Sequence, residues 1–482
     1  MSTHRPIAPW SSTPRIPCLE MEAFHPAARL DASARLCVAT ALICCFLSSS
    51  QAQSSQPLSL ESAIAQALKA RKEIEALDRR SQATAYDVSA VNRRYIPQIS
   101  AGVDVKYNAI LATSIVPIGA LNPGNPTDEV AAVRFGTNWA NGAGLSLTQV
   151  IYDPSIKGSR ELARMGADLT EAQRAQQAEA ITVAVAQAYY AVLVSEAEVG
   201  FAESDLALAT TRLTAARQQL QQERALPVDV EAAKIDSLNA RLRLMDVRRN
   251  AAEWRLQLAY QMGLDTDQGA EMQLKDRLEE VLGDNGNSFE NTCETPAPGP
   301  EEALQQAKIA QTAQQALVEK SGYKPTLLLN GYLGANHFSD QFDPWDGDKW
   351  FPTSYIGLSL SVPLTEGFVR QQRIRSLETQ QLAGQAELEA LKAKRELDFE
   401  RAWMAYGAAR EALQVQDAAM QLAKKQAEVV EARASEDRAT ITDLESANRN
   451  YQSARFQYLR RAYDLLITEL EMRRLCGVFR YR

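Results

Sequence analysis

The sequence predicts a mainly helical chain with a transmembrane β portion: duplicated long coiled-coil helical hairpins forming an α-barrel, plus four strands per chain. Three observations carry this: an internal repeat, two long stretches without proline, and four stretches of strict apolar–polar alternation. The chain has 482 residues, 45% hydrophobic and 23% charged, which excludes a disordered or collagen-like polymer. A net charge of −8 argues against a nucleic-acid binder, which presents a basic stripe. Of three histidines, His4 and His25 lie at the N-terminus and only His337 elsewhere. Histidine-dependent triads and histidine-ligated metal centres therefore lack their parts, and no phosphate loop, CxxC pair or nucleophile elbow appears. The sequence points to no enzyme and to no cofactor.

Residues 1–52 read as a signal peptide with an N-terminal extension. Arg29 and Arg35 precede an apolar run from Leu36 to Leu47, and Ser50-Gln51-Ala52 forms a small-x-small cleavage signal. The run is too short to span a bilayer as a helix. Ile43 and Cys44 before the cysteines are not the small residues of a lipidation signal. Four of six cysteines leave with this segment. Cys293 and Cys476 remain; they can pair in an oxidising compartment, and the sequence leaves the pairing open.

The rest of the chain repeats itself. Gly144-Leu145-Ser146-Leu147 returns as Gly357-Leu358-Ser359-Leu360, Ala188-Tyr189 as Ala402-Trp403, Asp229-Val230-Glu231 as Asp443-Leu444-Glu445, and Gly263 as Gly477. Residues 53–263 are the first repeat, 264–300 a linker and 301–482 the second. Proline punctuation places the helices, because an interior proline breaks one. None lies between Pro154 and Pro227 and none follows Pro363. Two helices near 155–224 and 367–437 are expected, with shorter ones near 229–262 and 442–476. Ala178, Val185, Val192, Val199, Leu206 and Leu213 recur every seven residues beside a small-residue track, Ile181, Ala188, Ser195, Ala202, Ala209 and Ala216. That 3.5-residue period is coiled-coil packing. A soluble periplasmic coiled-coil scaffold satisfies this feature alone.

The strands argue against a plain rod. Ile99, Ala101, Val103, Val105 and Tyr107 alternate with Gln98, Ser100, Asp104 and Lys106. The stretches 97–107, 143–152, 325–336 and 354–364 all have period two over the length of a tilted membrane strand. Four strands cannot close a barrel, and open edges in lipid are costly. Sister chains must supply the rest of the wall; three copies give twelve strands and a pore. Asp340–Asp348 lacks the EF-hand spacing and reads as a solvated extracellular loop, with His337 in or beside it.

These residues together resemble the TolC-like outer-membrane efflux proteins. The resemblance rests on the Leu58-Ser59-Leu60-Glu61-x-Ala63 start, the Tyr-x-Pro motifs at Tyr95 and Tyr323, the Gly-Leu-Ser-Leu strands, the Ala-Tyr and Ala-Trp positions, and the Asp-Val and Asp-Leu turns leading to Gly263 and Gly477. It implies a homotrimer with one shared twelve-stranded barrel in the outer membrane, a tunnel across the periplasm, and the linker in an equatorial belt. It implies a periplasmic adaptor and an inner-membrane transporter as partners, outer-membrane lipid around the barrel, and small toxic molecules such as drugs or metals as cargo. The outlet of a type I protein secretion system shares this architecture. Asp443 matches the family's gate aspartate and Asp229 its counterpart in the first hairpin. The tips, with Glu223, Arg224, Asp437 and Arg438, are the expected adaptor contacts. Glu223 and Asp437 stand where the family usually has glycine.

Overall fold

The computed structural model describes residues 57–117, 130–265, 272–284, 293, 295–364, 367–436 and 438–478. The expected leader and Asp437 lie outside the described residues. The elements are α1 (Leu60–Ala70), α2 (Lys72–Asn92), β1 (Gln98–Tyr107), β2 (Thr113–Pro117), β3 (Val130–Arg134), β4 (Trp139–Tyr152), α3 (Pro154–Gln221), α4 (Pro227–Gln261), α5 (Leu278–Asp284), α6 (Pro300–Ser321), β5 (Thr326–Ser339), β6 (Trp350–Ser361), α7 (Gly367–Ser435) and α8 (Ile441–Leu475). At 1.5 Å per residue, the 68-residue α3 and the 69-residue α7 are each about 100 Å long.

Each long helix starts directly below a strand. Asp153 ends the β4 segment and caps α3, its carboxylate accepting the Ser155 amide at 2.8 Å, with Pro154 in the first turn. There a missing N–H costs nothing. Each helix then folds back: α3 pairs with α4, and α7 with α8. The heptad tracks run down the middle of α3. Ala178, Val185 and Val192, and beside them Ile181, Ala188, Ser195 and Ala202, are buried against α1, α4 and α8. Towards the tip the same tracks become half-exposed at Leu206, Ala209 and Leu213, because within one chain fewer helices cover them.

The repeat's Ala-Tyr position has a structural reason. Tyr189 is fully buried, and its hydroxyl donates to Asp276 at 2.7 Å and to the Leu58 carbonyl at 3.0 Å. The start of the chain's helical part and the linker are thereby fastened to α3. Burial, and then the Asp276 bond, push its phenol well above the usual range. Its counterpart Trp403 lies exposed instead, so the two repeats share a backbone plan but not a core. At the other end of the linker, Cys293 and Cys476 form a disulfide. Arg395 of α7 donates to the carbonyls of Ala297 and Leu475.

The four expected strands form one antiparallel sheet in the order β1-β4-β5-β6. β4 starts at Trp139, four residues before the expected position, and β5 runs on to Ser339. A second, two-stranded sheet, β2–β3, occupies a segment for which the sequence suggested no element. Among the described residues the outer edges of β1 and β6 have no strand partner. The ladder places Ile99 opposite Leu147, Leu145 opposite Leu333, and Leu329 opposite Leu358, making one apolar face. The other face is mostly polar, with the Ser100 and Ser146 hydroxyls meeting at 2.7 Å and Asn336 donating to Thr353 at 3.1 Å, and it also carries the stacked rings of Tyr332 and Tyr355.

One expectation changes. The β5–β6 loop is not simply solvated. It folds against the apolar face and leaves His337 fully buried. Phe342 packs on Trp139, and the Trp350 indole donates to the Pro344 carbonyl. Alternation alone could not show this, because the loop covers residues that its own strand sends outward.

Candidate functional site

The hairpin tips are built from paired helix ends. At the end of α3, the Glu223 amide donates to Leu220 and the Arg224 amide to Gln219, at 3.0 and 2.9 Å. This double closure satisfies carbonyls left open by the last turn. It needs a left-handed residue, and Glu223 takes it, with φ 61°. Glycine adopts that conformation freely, whereas a side chain costs roughly 1 kcal/mol. The same closure ends α4 at Gly263 (φ 71°) and α8 at Gly477 (φ 66°). The paired glycines of the repeat are therefore helix stops. At the second tip the Arg438 amide reaches the Arg433 carbonyl at 2.8 Å.

Both candidate gate acids sit in the first turn of a returning helix. Thr440 caps α8: its amide and hydroxyl donate to Asp443 Oδ2 at 3.1 and 2.6 Å, and its Oγ1 accepts the Asp443 amide at 3.2 Å. The hydroxyl bond, then the amide bond, hold the Asp443 carboxyl below the usual carboxylate range. Asp229 accepts the Leu226 amide at 2.9 Å in the matching place on α4. A reciprocal capping box at α8, and at α4 the single bond from the Leu226 amide, fix where each carboxylate stands, and the helix N-terminus favours its charge. Glu223, Arg224 and Arg438 are exposed around these caps. Arg438 pairs with Glu436 at 3.1 Å, and Leu226 and Val228 expose apolar side chains beside Asp229. Asp437 lies outside the described residues.

Above the tips, ion pairs join the first hairpin to the second, among them Arg474 of α8 with Glu179 of α3 at 3.8 Å. Arg212 of α3 meets Glu431 of α7 at 3.1 Å. Higher up, Arg455 of α8 grips both carboxylate oxygens of Asp205 at 2.5 Å, with its guanidinium 4.8 Å from the ring centres of Phe201 and Tyr451. Arg455 is buried. The sequence reading missed the Arg212 and Arg455 pairs. Their partners lie 219 and 250 residues apart, and no local pattern links them.

A sheet with one apolar face and two open edges, standing on helices about 100 Å long that end in charged tips, defines one wall segment of a membrane channel with a long helical duct. The outer membrane efflux protein family matches residues 63–264 and 301–478, and the chain belongs to that family. It is an outer-membrane protein that extends into the periplasm. Among solved structures, the CmeC outer membrane channel of Campylobacter jejuni is similar at 15% identity and TM-score 0.64, over 87% of this chain and 85% of that one. The outer membrane protein VceC of Vibrio cholerae is similar at 14% identity and TM-score 0.62, covering 87% and 96%. The open-state MtrE outer membrane channel of Neisseria gonorrhoeae is similar at 15% identity and TM-score 0.58, covering 87% and 88%. No curated protein matches the chain in sequence. Membership in a family of outer-membrane channels leaves no place for the soluble scaffold.

Proposed function

We propose that three copies of this chain close into one channel-tunnel, a duct without catalysis that serves as the outlet of a tripartite efflux system for small toxic molecules. The unpaired edges of β1 and β6 carry this reading. Unpaired backbone groups cost several kcal/mol each in lipid, so a ten-residue edge such as β1 demands a partner strand, and a sister β6 is antiparallel-competent. Closure puts the apolar face against lipid and the polar face around water.

The helices give independent support. Ile235, Leu238, Leu242 and Met245 of α4 follow a three-four spacing and are all exposed. Val415, Leu422 and Val429 of α7 form a seven-residue track, also exposed. These are coiled-coil seams with no cover inside one chain, and neighbouring copies supply it.

At the closed end, Asp443 and Asp229 form rings of carboxylates that repel one another and admit cations. The tips, with Glu223, Arg224, Asp437 and Arg438, receive the periplasmic adaptor, which links the duct to an inner-membrane transporter. Mass measurement of the detergent-purified protein should return three subunits; a stable single subunit overturns the reading. Asp443→Ala should raise single-channel conductance and weaken cation selectivity, and unchanged values would remove Asp443 from the gate.

A further inference from the structure

The internal repeat extends to the strand ladder. Tyr95 returns as Tyr323 and Gly144 as Gly357, which sets one displacement from β1 to β5 and another from β4 to β6. Applied to the first hairpin, they carry the pair Gly102–Gly144 onto Asn330–Gly357 and the pair Ile99–Leu147 onto Leu327–Leu360. Both are pairs of the second hairpin, so the two hairpins are copies in the same register. Each layer of the chain also ends on the same two flanks. In the sheet β1 and β6 are outermost, and beneath it α2, α3, α6 and α7 lie side by side in that order. One flank is α2 with β1; the other is β6 with α7.

Within the chain, the two repeats join where β4 pairs with β5, placing Thr148 beside Asn330, Leu147 beside Gly331, Ser146 beside Tyr332 and Leu145 beside Leu333. Under the same displacements β4 becomes β6, and β5 becomes the β1 of a following copy. We infer that β6 of one chain pairs antiparallel with β1 of the next in the register this gives: Ser361 beside Gly102, Leu360 beside Val103, Ser359 beside Asp104 and Leu358 beside Val105. The inference rests on the proposed shared barrel and adds to it which residues meet. A head-to-tail contact of this kind repeats around a ring until it closes.

Three further features agree with this register. Apolar residues fall beside apolar ones, although the displacements come from motifs and not from faces; a slip by one residue would turn every β1 side chain to the wrong side. Pro363 takes the place of Val150, where the β4–β5 ladder shifts register, and a proline, having no N–H, fits a sheet at such an irregularity. Below the sheet, Gln314 of α6 donates to the Gly158 carbonyl of α3 at 3.0 Å. Its counterpart on α2 is Tyr86, an exposed ring that the neighbour's α7 covers. Asp104 and Lys106 then have small residues on both sides, Gly142 and Ala140 in their own chain and Ser359 and Gly357 in the next, which gives both charges room to project into the duct.

Paired cysteines read the register directly. Opposed residues of an antiparallel pair have Cα atoms about 4.5–5.5 Å apart, within disulfide reach, whereas diagonal neighbours stand about 7–8 Å apart, past the limit of about 7 Å. A Cβ at Gly102 meets nothing within 4 Å, so a cysteine fits there. After mild oxidation of the detergent-purified protein, Gly102→Cys with Ser361→Cys should run on non-reducing gels as covalent dimers and trimers that a thiol returns to single chains. Asp104→Cys with Ser359→Cys should do the same, and serves if the first variant fails to fold. Ser100→Cys with Ser361→Cys should stay as single chains. So should Gln98→Cys with Ser361→Cys, the pair that full overlap of the two strands would favour. If either of these cross-links better than the Gly102 and Asp104 pairs, the register is overturned and the shared barrel stands. If no pair cross-links while mass still counts three subunits, β1 and β6 do not meet and the inference falls alone; a single subunit by mass removes the shared barrel with it.

Discussion

Replacing Arg455 with methionine tests whether a buried ion pair holds the two hairpins together. Arg455 is nearly enclosed, with 7% of its side chain exposed and 16% of that of Asp205. Removing one partner of a buried pair costs about 3–5 kcal/mol, because the remaining charge is left without compensation. Asp205 keeps some contact with water, so the low end applies. About 3 kcal/mol corresponds to roughly a hundredfold shift between joined and parted hairpins. The contacts to Phe201 and Tyr451 add up to about 1 kcal/mol each, part of which the methionine retains by packing. In planar bilayers Arg455→Met should show longer or larger open states than the wild type, and it should melt at lower temperature. Adding Asp205→Leu should restore much of the loss, since an apolar pair of similar volume is often as stable as a buried ion pair. If the single variant conducts and melts like the wild type, or the double variant is no better than the single, the pair does not lock the hairpins.

Other expectations follow from the same geometry. The Cys293–Cys476 bond spans 183 residues, and chain-entropy arguments give a loop of that length about 5 kcal/mol as an upper value; Cys476→Ser, or reduction of the wild type, should lower the melting temperature and expose the linker to protease, and equal protease resistance would deny it that role. Glu223→Gly should stabilise the first tip by about 1 kcal/mol by relieving the left-handed side chain, read as slower amide exchange at the end of α3. A Cβ on Gly334 would lie 2.5 Å from the Ala143 carbonyl and 2.6 Å from the Tyr332 hydroxyl; Gly334→Ala should cost about 1–3 kcal/mol and reduce heat-resistant oligomer on gels, and Tyr332→Ala should not fully rescue it because the backbone clash remains. The Asp443 carboxyl is held low, so its contribution to the α8 cap is present at neutral pH and is lost as pH falls through the lowered value; exchange at the start of α8 should quicken in acid, and Asp443→Asn should flatten that response.

The long helices were legible because two signals coincide over tens of residues: proline is absent, and apolar residues recur every seven positions. Strand faces were legible because a period of two needs only neighbours. Gly263 and Gly477 appeared as matching points of a repeat, and the structure shows why: both end a helix in the left-handed conformation. The Thr440-x-x-Asp443 cap also carries a readable sequence signature, yet that aspartate stood out only as a point of the repeat, and its gate role came from the resemblance. Other features left no trace. β2 and β3 are five residues each, too short for alternation to stand out. The Cys293–Cys476 pair remained open because two cysteines far apart in sequence say nothing of their distance. His337 was placed correctly near the loop but not inside a cage, since its enclosure comes from a loop folding back.

By itself, then, the amino-acid sequence determined the parts: two copies of strand, strand and helical hairpin, with their faces and their stops. Tertiary structure alone decided which faces meet, joining Asp205 to Arg455, Tyr189 to Asp276 and Cys293 to Cys476, and folding the outer loop onto His337. The physical reason is range. Helix and strand periods are set by backbone dihedrals and by side chains a few residues apart, so a local pattern reports them. Contacts between residues 87 to 250 positions apart depend on how long elements close upon one another, which no local pattern records.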